Sequence, residues 1–254
     1  RLEEKCRPVL RGEERLELLL DLAPAVATFH FGLPPRPAIE RLSAAGVAVG
    51  ATATSTAEAR AVAGAGCDFV VAQGFEAGGH RGAHVETAAD GGVGLLALVP
   101  QVVDAVSIPV VAAGGIADAR GIAAAFALGA DGVQMGSAFL LCPEAETDAP
   151  RRARIAAAAD TDTAVTLAIS GRANRVSASP FVRRMAGAGT PHLPFPLHYA
   201  LSGPLAEAGG EDYAAHQYGQ AAALALAVPA AELMARLVRE SRARLAWLGG
   251  AGAS

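Results

Sequence analysis

Residues 108–137 read IPVVAAGGIADARGIAAAFALGADGVQMGS, and this stretch decides the fold. Val110–Ala112 is a short apolar strand that runs into Gly114 and Gly115. Asp118 then offers a side-chain cap to a helix that continues to Leu128 and stops at Gly129. Gly132–Met135 is the next strand, and it ends in a second turn at Gly136 and Ser137. The strands are continuous apolar runs, which suits a parallel sheet covered on both faces. A glycine turn at a strand end exposes backbone N–H groups, and a helix N-terminus behind it favours an anion. Two such turns occur in consecutive units, 19 residues apart from Gly115 to Gln134. They match the phosphate grip after the last two strands of many (β/α) barrels. The chain has one lysine, Lys5, so backbone amides and the Ser137 hydroxyl are expected to hold the phosphate.

The same order extends upstream. Leu16–Leu22 predicts a helix, Ala25–Phe31 a strand, Ala38–Ala45 a helix and Val47–Ala51 a strand. Ser55-Thr-Ala-Glu58 fits a capping box that opens a helix through Ala65. Phe69–Ala72 is a buried strand, Gly74–Gly94 a glycine-rich loop, and Leu95–Val106 a helix bent at Pro100. Beyond Cys142 the texture changes. Arg151–Ala159, Ala206–Ala208, Tyr213–Ala227 and Ala230–Leu248 read as helices. Pro180–Pro204 reads as an extended loop and Gly249 onward as a frayed tail. No strand is predicted there.

The expected fold is therefore α/β: a TIM (β/α)8 barrel of which this chain carries the last five β/α units, with a smaller C-terminal lid. The expected organisation is 1–142 barrel, 143–217 lid and substrate region, and 218–254 helices packing back on the barrel. Three further β/α units are expected to precede Arg1, in a protein of roughly 350 residues, scaled from about 250 for a plain barrel.

The chemistry concentrates at Gln73-Gly-Phe-Glu-Ala-Gly-Gly-His80-Arg81-Gly82, directly after a strand. Gly78 and Gly79 allow backbone torsions closed to other residues and let a flat ligand come close. His80 follows them, and a neutral imidazole can abstract a proton near neutral pH. His30, in FHFG at the end of the first strand, is a candidate to line the pocket opposite. His84 lies four residues after His80, but the glycines oppose the helix a metal pair would need, so no metal site is expected. Ser170-Gly-Arg172 and Arg175 form a small polar cluster.

Composition narrows the partners. Hydrophobic residues make up 52% and charged residues 18%, which excludes disorder. A net charge of −4 and one Trp give no footprint for nucleic acid. Mean hydropathy is +0.32, inflated by Ala. No apolar run approaches the ~20 residues of a membrane span. Three dispersed cysteines fit a reduced, cytoplasmic protein without a disulfide frame.

The segments AQGFEAGGHRG, IPVVAAGGIAD, LGADGVQMGSAFL, PFPLHYAL and YGQAA together resemble the nitronate monooxygenase family, over nearly the whole chain. The resemblance implies an FMN-binding TIM barrel with a lid. His80 matches the family's catalytic base, and His30 a pocket histidine. Gln73, Gly78, Gly79, Gly114, Gly115, Gln134, Met135, Gly136 and Ser137 match FMN contacts, the last four at the phosphate. The implied reaction is oxidation of alkyl nitronates or nitroalkanes by O2, with oligomerisation possible. An NAD(P)H-dependent FMN enoyl-acyl-carrier-protein reductase resembles the same motifs, and a non-catalytic flavin-binding partial barrel is the third reading.

Overall fold

The computed structural model describes residues 12–84, 92–186 and 192–250. Lys5, Cys6, parts of the Gly74–Gly94 and Pro180–Pro204 loops and the end of the expected tail lie outside them. In chain order the first elements are α1 (Gly12–Leu22), β1 (Val26–Phe29), α2 (Arg36–Ala44), β2 (Ala48–Ala53), α3 (Thr56–Gly64) and β3 (Phe69–Gln73). Then come β4 (Gly79–His80), α4 (Leu95–Val103), β5 (Val110–Ala113), α5 (Ala119–Ala127) and β6 (Gly132–Gln134). The rest comprises α6 (Ala149–Ala156), β7 (Thr163–Thr166), β8 (Asn174–Ser177), α7 (Pro180–Ala186), α8 (Tyr199–Gly209) and α9 (Ala230–Gly250).

Five strands form one parallel sheet in the order β1-β2-β3-β5-β6, part of a TIM-type (β/α) barrel. The strand sequences explain the burial. AVGATA and FVVAQ are buried almost throughout, as expected where both faces are covered. In register, Gly50 sits opposite Phe69, and a Cβ at Gly50 would lie 2.3 Å from the Phe69 ring. The glycine therefore makes room for an aromatic ring inside the sheet.

One device repeats at the N-terminal end of the sheet. α3 and α5 are each followed by a glycine at positive φ, Gly66 at +90° and Gly129 at +93°. Two residues later comes an aspartate. Asp68 Oδ2 accepts from Val49 N at 2.7 Å, and Asp131 Oδ2 accepts from Val110 N at 2.8 Å. Each carboxylate thus satisfies an amide at the start of the neighbouring strand and fixes where the incoming strand pairs. The helix starts obey their sequence signals. Ser55 caps α3 through Glu58 N, and Asp118 caps α5 through Arg120 N and Gly121 N. The capping box is not reciprocal: Glu58 Oε2 accepts from Thr54 N and Oγ1, one residue before the cap.

The expectation of no strand after residue 142 is corrected. β7 and β8 form an antiparallel sheet in the order β4-β8-β7. TAVT and NRVS lack the apolar run that marks a buried strand, yet Asn174 and Arg175 are buried at 0% and 3% exposure. Tyr213–Ala227 is not a continuous helix. Ser177 N donates to His216 O, Gly219 N to Ser137 Oγ and Gln220 N to Glu76 O. These bonds hold the segment extended across the molecule and leave only a short 3-10 turn at Gln220–Leu224. Pro180–Pro204 is not one extended loop either: it contains α7 and enters α8, which accommodates Pro204 within its length. No helix among the described residues is long and apolar enough to cross a membrane.

Candidate active site

β3 delivers Gln73 to the C-terminal end of the sheet, and its side-chain amide organises the loop that carries His80. Gln73 Oε1 accepts from Gly82 N at 2.8 Å and Arg81 Nη1 at 3.2 Å, while Nε2 donates to His80 O at 3.1 Å. The loop is thus gripped from His80 through Gly82. Beneath it, Arg81 is 1% exposed and donates to Gly74 O at 2.7 Å. Arg175 Nη2 donates to Phe75 O at 2.8 Å, with its guanidinium 5.0 Å from the Phe75 ring centre.

Gly79 is at φ +80°, as a left-handed turn residue. Gly78 serves a different purpose. A Cβ there would lie 2.3 Å from the backbone of Tyr218 and Gly219, and a Cβ at Gly219 would lie 2.9 Å from Gly78 N. The two glycines touch backbone to backbone and dock the extended 217–220 segment on the loop.

His80 then lies among aromatic rings. Ring centres of Phe31, Phe195 and Tyr199 are 5.6, 5.2 and 6.4 Å from its own. Its Nε2 is 2.8 Å from Ser170 Oγ. Phe31 is at φ +70°, a torsion that strains a bulky residue. There its ring lies 4.2 Å beneath the Arg172 guanidinium, which also donates to Ala83 O. Burial, then the His30 ring, then the Arg172 cation push the His80 pKa down to about 4. The imidazole is neutral, the form that can accept a proton.

His30 is brought to the same place but has both ring nitrogens engaged. The His80 carbonyl can only accept, so His30 Nε2 donates to it at 3.2 Å, and Nδ1 accepts from Thr52 Oγ1 at 3.0 Å. Burial lowers its pKa as well. His84 is half-buried, with Nε2 donating to Thr52 O at 2.9 Å. Among the described residues no cluster of metal-ligating side chains occurs.

A cleft of about 270 Å³ adjoins this box, lined by Gln73, Glu76, Gly78, Gly114, Gly115, Gln134, Met135, Gly136 and Ser137, together with Arg151, Gln217 and Gly219. Gly114 and Gly115 are at φ +99° and +69°. No described residue accepts from the amides of Gly115, Gly136 or Ser137, and a Cβ at Gly136 would meet open space. Arg151 is the one cationic side chain among the described lining residues. Its Nη2 donates to Gln217 O at 2.6 Å, and its buried Nε has no partner among the described residues. Free amides and an open glycine edge beside the Arg151 cation form the donor set that a phosphate ester requires. The residues present fit FMN.

Sequence reading assigned no site role to Arg151, Phe31, Phe195 or Tyr199. Ser170 was visible as part of a polar cluster, and Phe195 and Tyr199 lie within PFPLHYAL, but Arg151 carries no signal.

The family model described as nitronate monooxygenase matches residues 6–240. A nitronate monooxygenase of Pseudomonas aeruginosa is 46% identical over 247 residues, covering 95% of this chain and 70% of that protein. One of Paraburkholderia phytofirmans is 44% identical, covering 89% of this chain and 63% of that protein. Among solved structures, nitroalkane oxidase from Streptomyces ansochromogenes superposes with TM-score 0.84 and 41% identity, over 92% of this chain and 69% of that one. FabK from Thermotoga maritima gives 0.77 and 32%, over 95% and 76%.

Proposed function

The chain belongs to the nitronate monooxygenase family, and from that premise we propose that it carries out FMN-dependent oxidation of alkyl nitronates and nitroalkanes by O2, with His80 as the general base. The observation that carries this reading is a neutral, half-buried imidazole in an aromatic box beside an anion cradle. The α-hydrogen of a nitroalkane is acidic because the nitro group delocalises the resulting charge. The aromatic rings lower the polarity around His80, and His80 receives that proton. With a preformed nitronate the same ring orients the anion instead.

Gly114, Gly115, Gln134, Met135, Gly136, Ser137 and Arg151 would hold the FMN phosphate end, and Gln73, Gly78 and Gly79 line the way from it to His80. The bound flavin supplies electron acceptance and the reaction with O2. His30 serves by bonding the His80 carbonyl, and Gln73 by bonding the same carbonyl.

His80→Asn is expected to keep its flavin and lose turnover on neutral nitroalkanes by about a hundredfold or more. Unchanged turnover sinks the base assignment. Under anaerobic conditions NADH and NADPH are expected to reduce the flavin slowly, and rapid reduction would transfer the assignment to the NAD(P)H-dependent reductase reading.

A further inference from the structure

Resting on the assignment of His80 as the base, we propose that Ser170 holds its ring as the Nε2–H tautomer, which makes Nδ1 the atom that takes the substrate proton. Ser170 has one hydroxyl proton to place. The Arg172 carbonyl, 3.1 Å from Oγ, can only accept, and the Arg172 amide, 3.3 Å from it, can only donate. The hydroxyl therefore closes the Ser170-Gly-Arg172 turn through both groups of Arg172, with its proton on the carbonyl. Oγ then faces His80 Nε2, 2.8 Å away, with a lone pair. Nε2 must donate. A neutral imidazole has a single N–H, so Nδ1 carries the lone pair.

The turn cannot easily rearrange. Gly171 is at φ +81°, and a Cβ there would lie 1.9 Å from the Leu193 carbonyl oxygen. β4 pairs with β8 through His80 and Asn174, so the strand that carries His80 is held against the strand that follows the turn. No described residue hydrogen-bonds His80 Nδ1. Phe31 and Phe195 have no group that could. His30 differs: both of its nitrogens are engaged within the protein. Ser170 is thus a positioning residue that selects which nitrogen of His80 is available.

The test is long-range 1H–15N correlation on flavin-loaded protein labelled with 15N-histidine, near neutral pH. The His80 signals are those that disappear in His80→Asn. The expected wild-type pattern is a pyrrole-type Nε2 and a pyridine-type Nδ1. Ser170→Ala is expected to give mixed tautomers and to lower kcat on a neutral nitroalkane by about tenfold or more with little change in KM. Ser170→Thr, which keeps the hydroxyl, is expected to restore both. A wild-type proton on Nδ1 overturns the proposal even if no Ser170 variant folds. So does a Ser170→Ala spectrum identical to wild type, or full kcat in Ser170→Ala once the tautomers mix. Full turnover in His80→Asn sinks the base assignment instead, and the spectrum reads the tautomer independently of it.

Discussion

Arg151 shows how much a single side chain can add to a site built from backbone. The glycine turns supply amide donors without net charge. Arg151 adds a formal charge and a buried Nε–H that lacks a partner among the described residues, an arrangement that costs stability unless an acceptor arrives. Arg151→Met is expected to weaken FMN binding about tenfold to a hundredfold, the ~1.5–3 kcal/mol typical of a charge-assisted hydrogen bond. Riboflavin binding should hardly change, because it has no phosphate. Fluorescence titration of both flavins checks this, and equal losses for the two would place Arg151 elsewhere than on the phosphate. At this scale the sequence was legible where a residue type is tied to a turn. Gly79, Gly114 and Gly115 have the positive φ expected of them. Gly78 was legible as a glycine but for another reason, since its role depends on Tyr218 and Gly219. Arg151 was illegible because its position at the cleft is created by α6, whose sequence APRRARIA reads as an ordinary surface helix.

The elements of the parallel sheet announce themselves because each is a continuous apolar run between a helix-ending glycine and a strand-ending turn. The small antiparallel sheet does not, because pairing rather than apolar composition defines it. NRVS is a strand through its bonds to β4 and β7. The misreading of Tyr213–Ala227 has the same source. Alanine favours a helix locally, but the bonds to Ser137, Ser177 and Glu76 hold the backbone extended. The repeated aspartate device permits a test of element registry. Asp131→Ala leaves Val110 N without its acceptor, and the expected loss is about 1–3 kcal/mol. Asp131→Asn, which keeps an acceptor oxygen, is expected to lose less. Urea denaturation midpoints of the two variants measure it, and equal midpoints to wild type would show that β5 does not depend on the carboxylate.

Over the whole molecule the charge distribution around the site is lopsided. Arg81, Arg172 and Arg175 are buried at 1%, 8% and 3% exposure, and they bond mainly to carbonyl oxygens. Two histidines share this region in their neutral forms. His80 titrates near 4 in the folded protein against an ordinary 6.5, and His30 is also lowered. Between those values the unfolded chain binds more protons than the folded one, so stability rises with pH across the window. The expected outcome is a urea midpoint steady above pH 6.5 and falling as the pH drops towards 4. A midpoint that does not move there would contradict the neutral histidines. The contact between Gly78 and Gly219 has a consequence of another kind. Compensatory change normally works by shortening one side chain when its neighbour lengthens. Here neither partner has a side chain to shorten, so no paired substitution can relieve a larger residue at either position. Two sites far apart in the gene are thereby frozen together, and a drifting lineage could leave that pair only by rebuilding the loop itself.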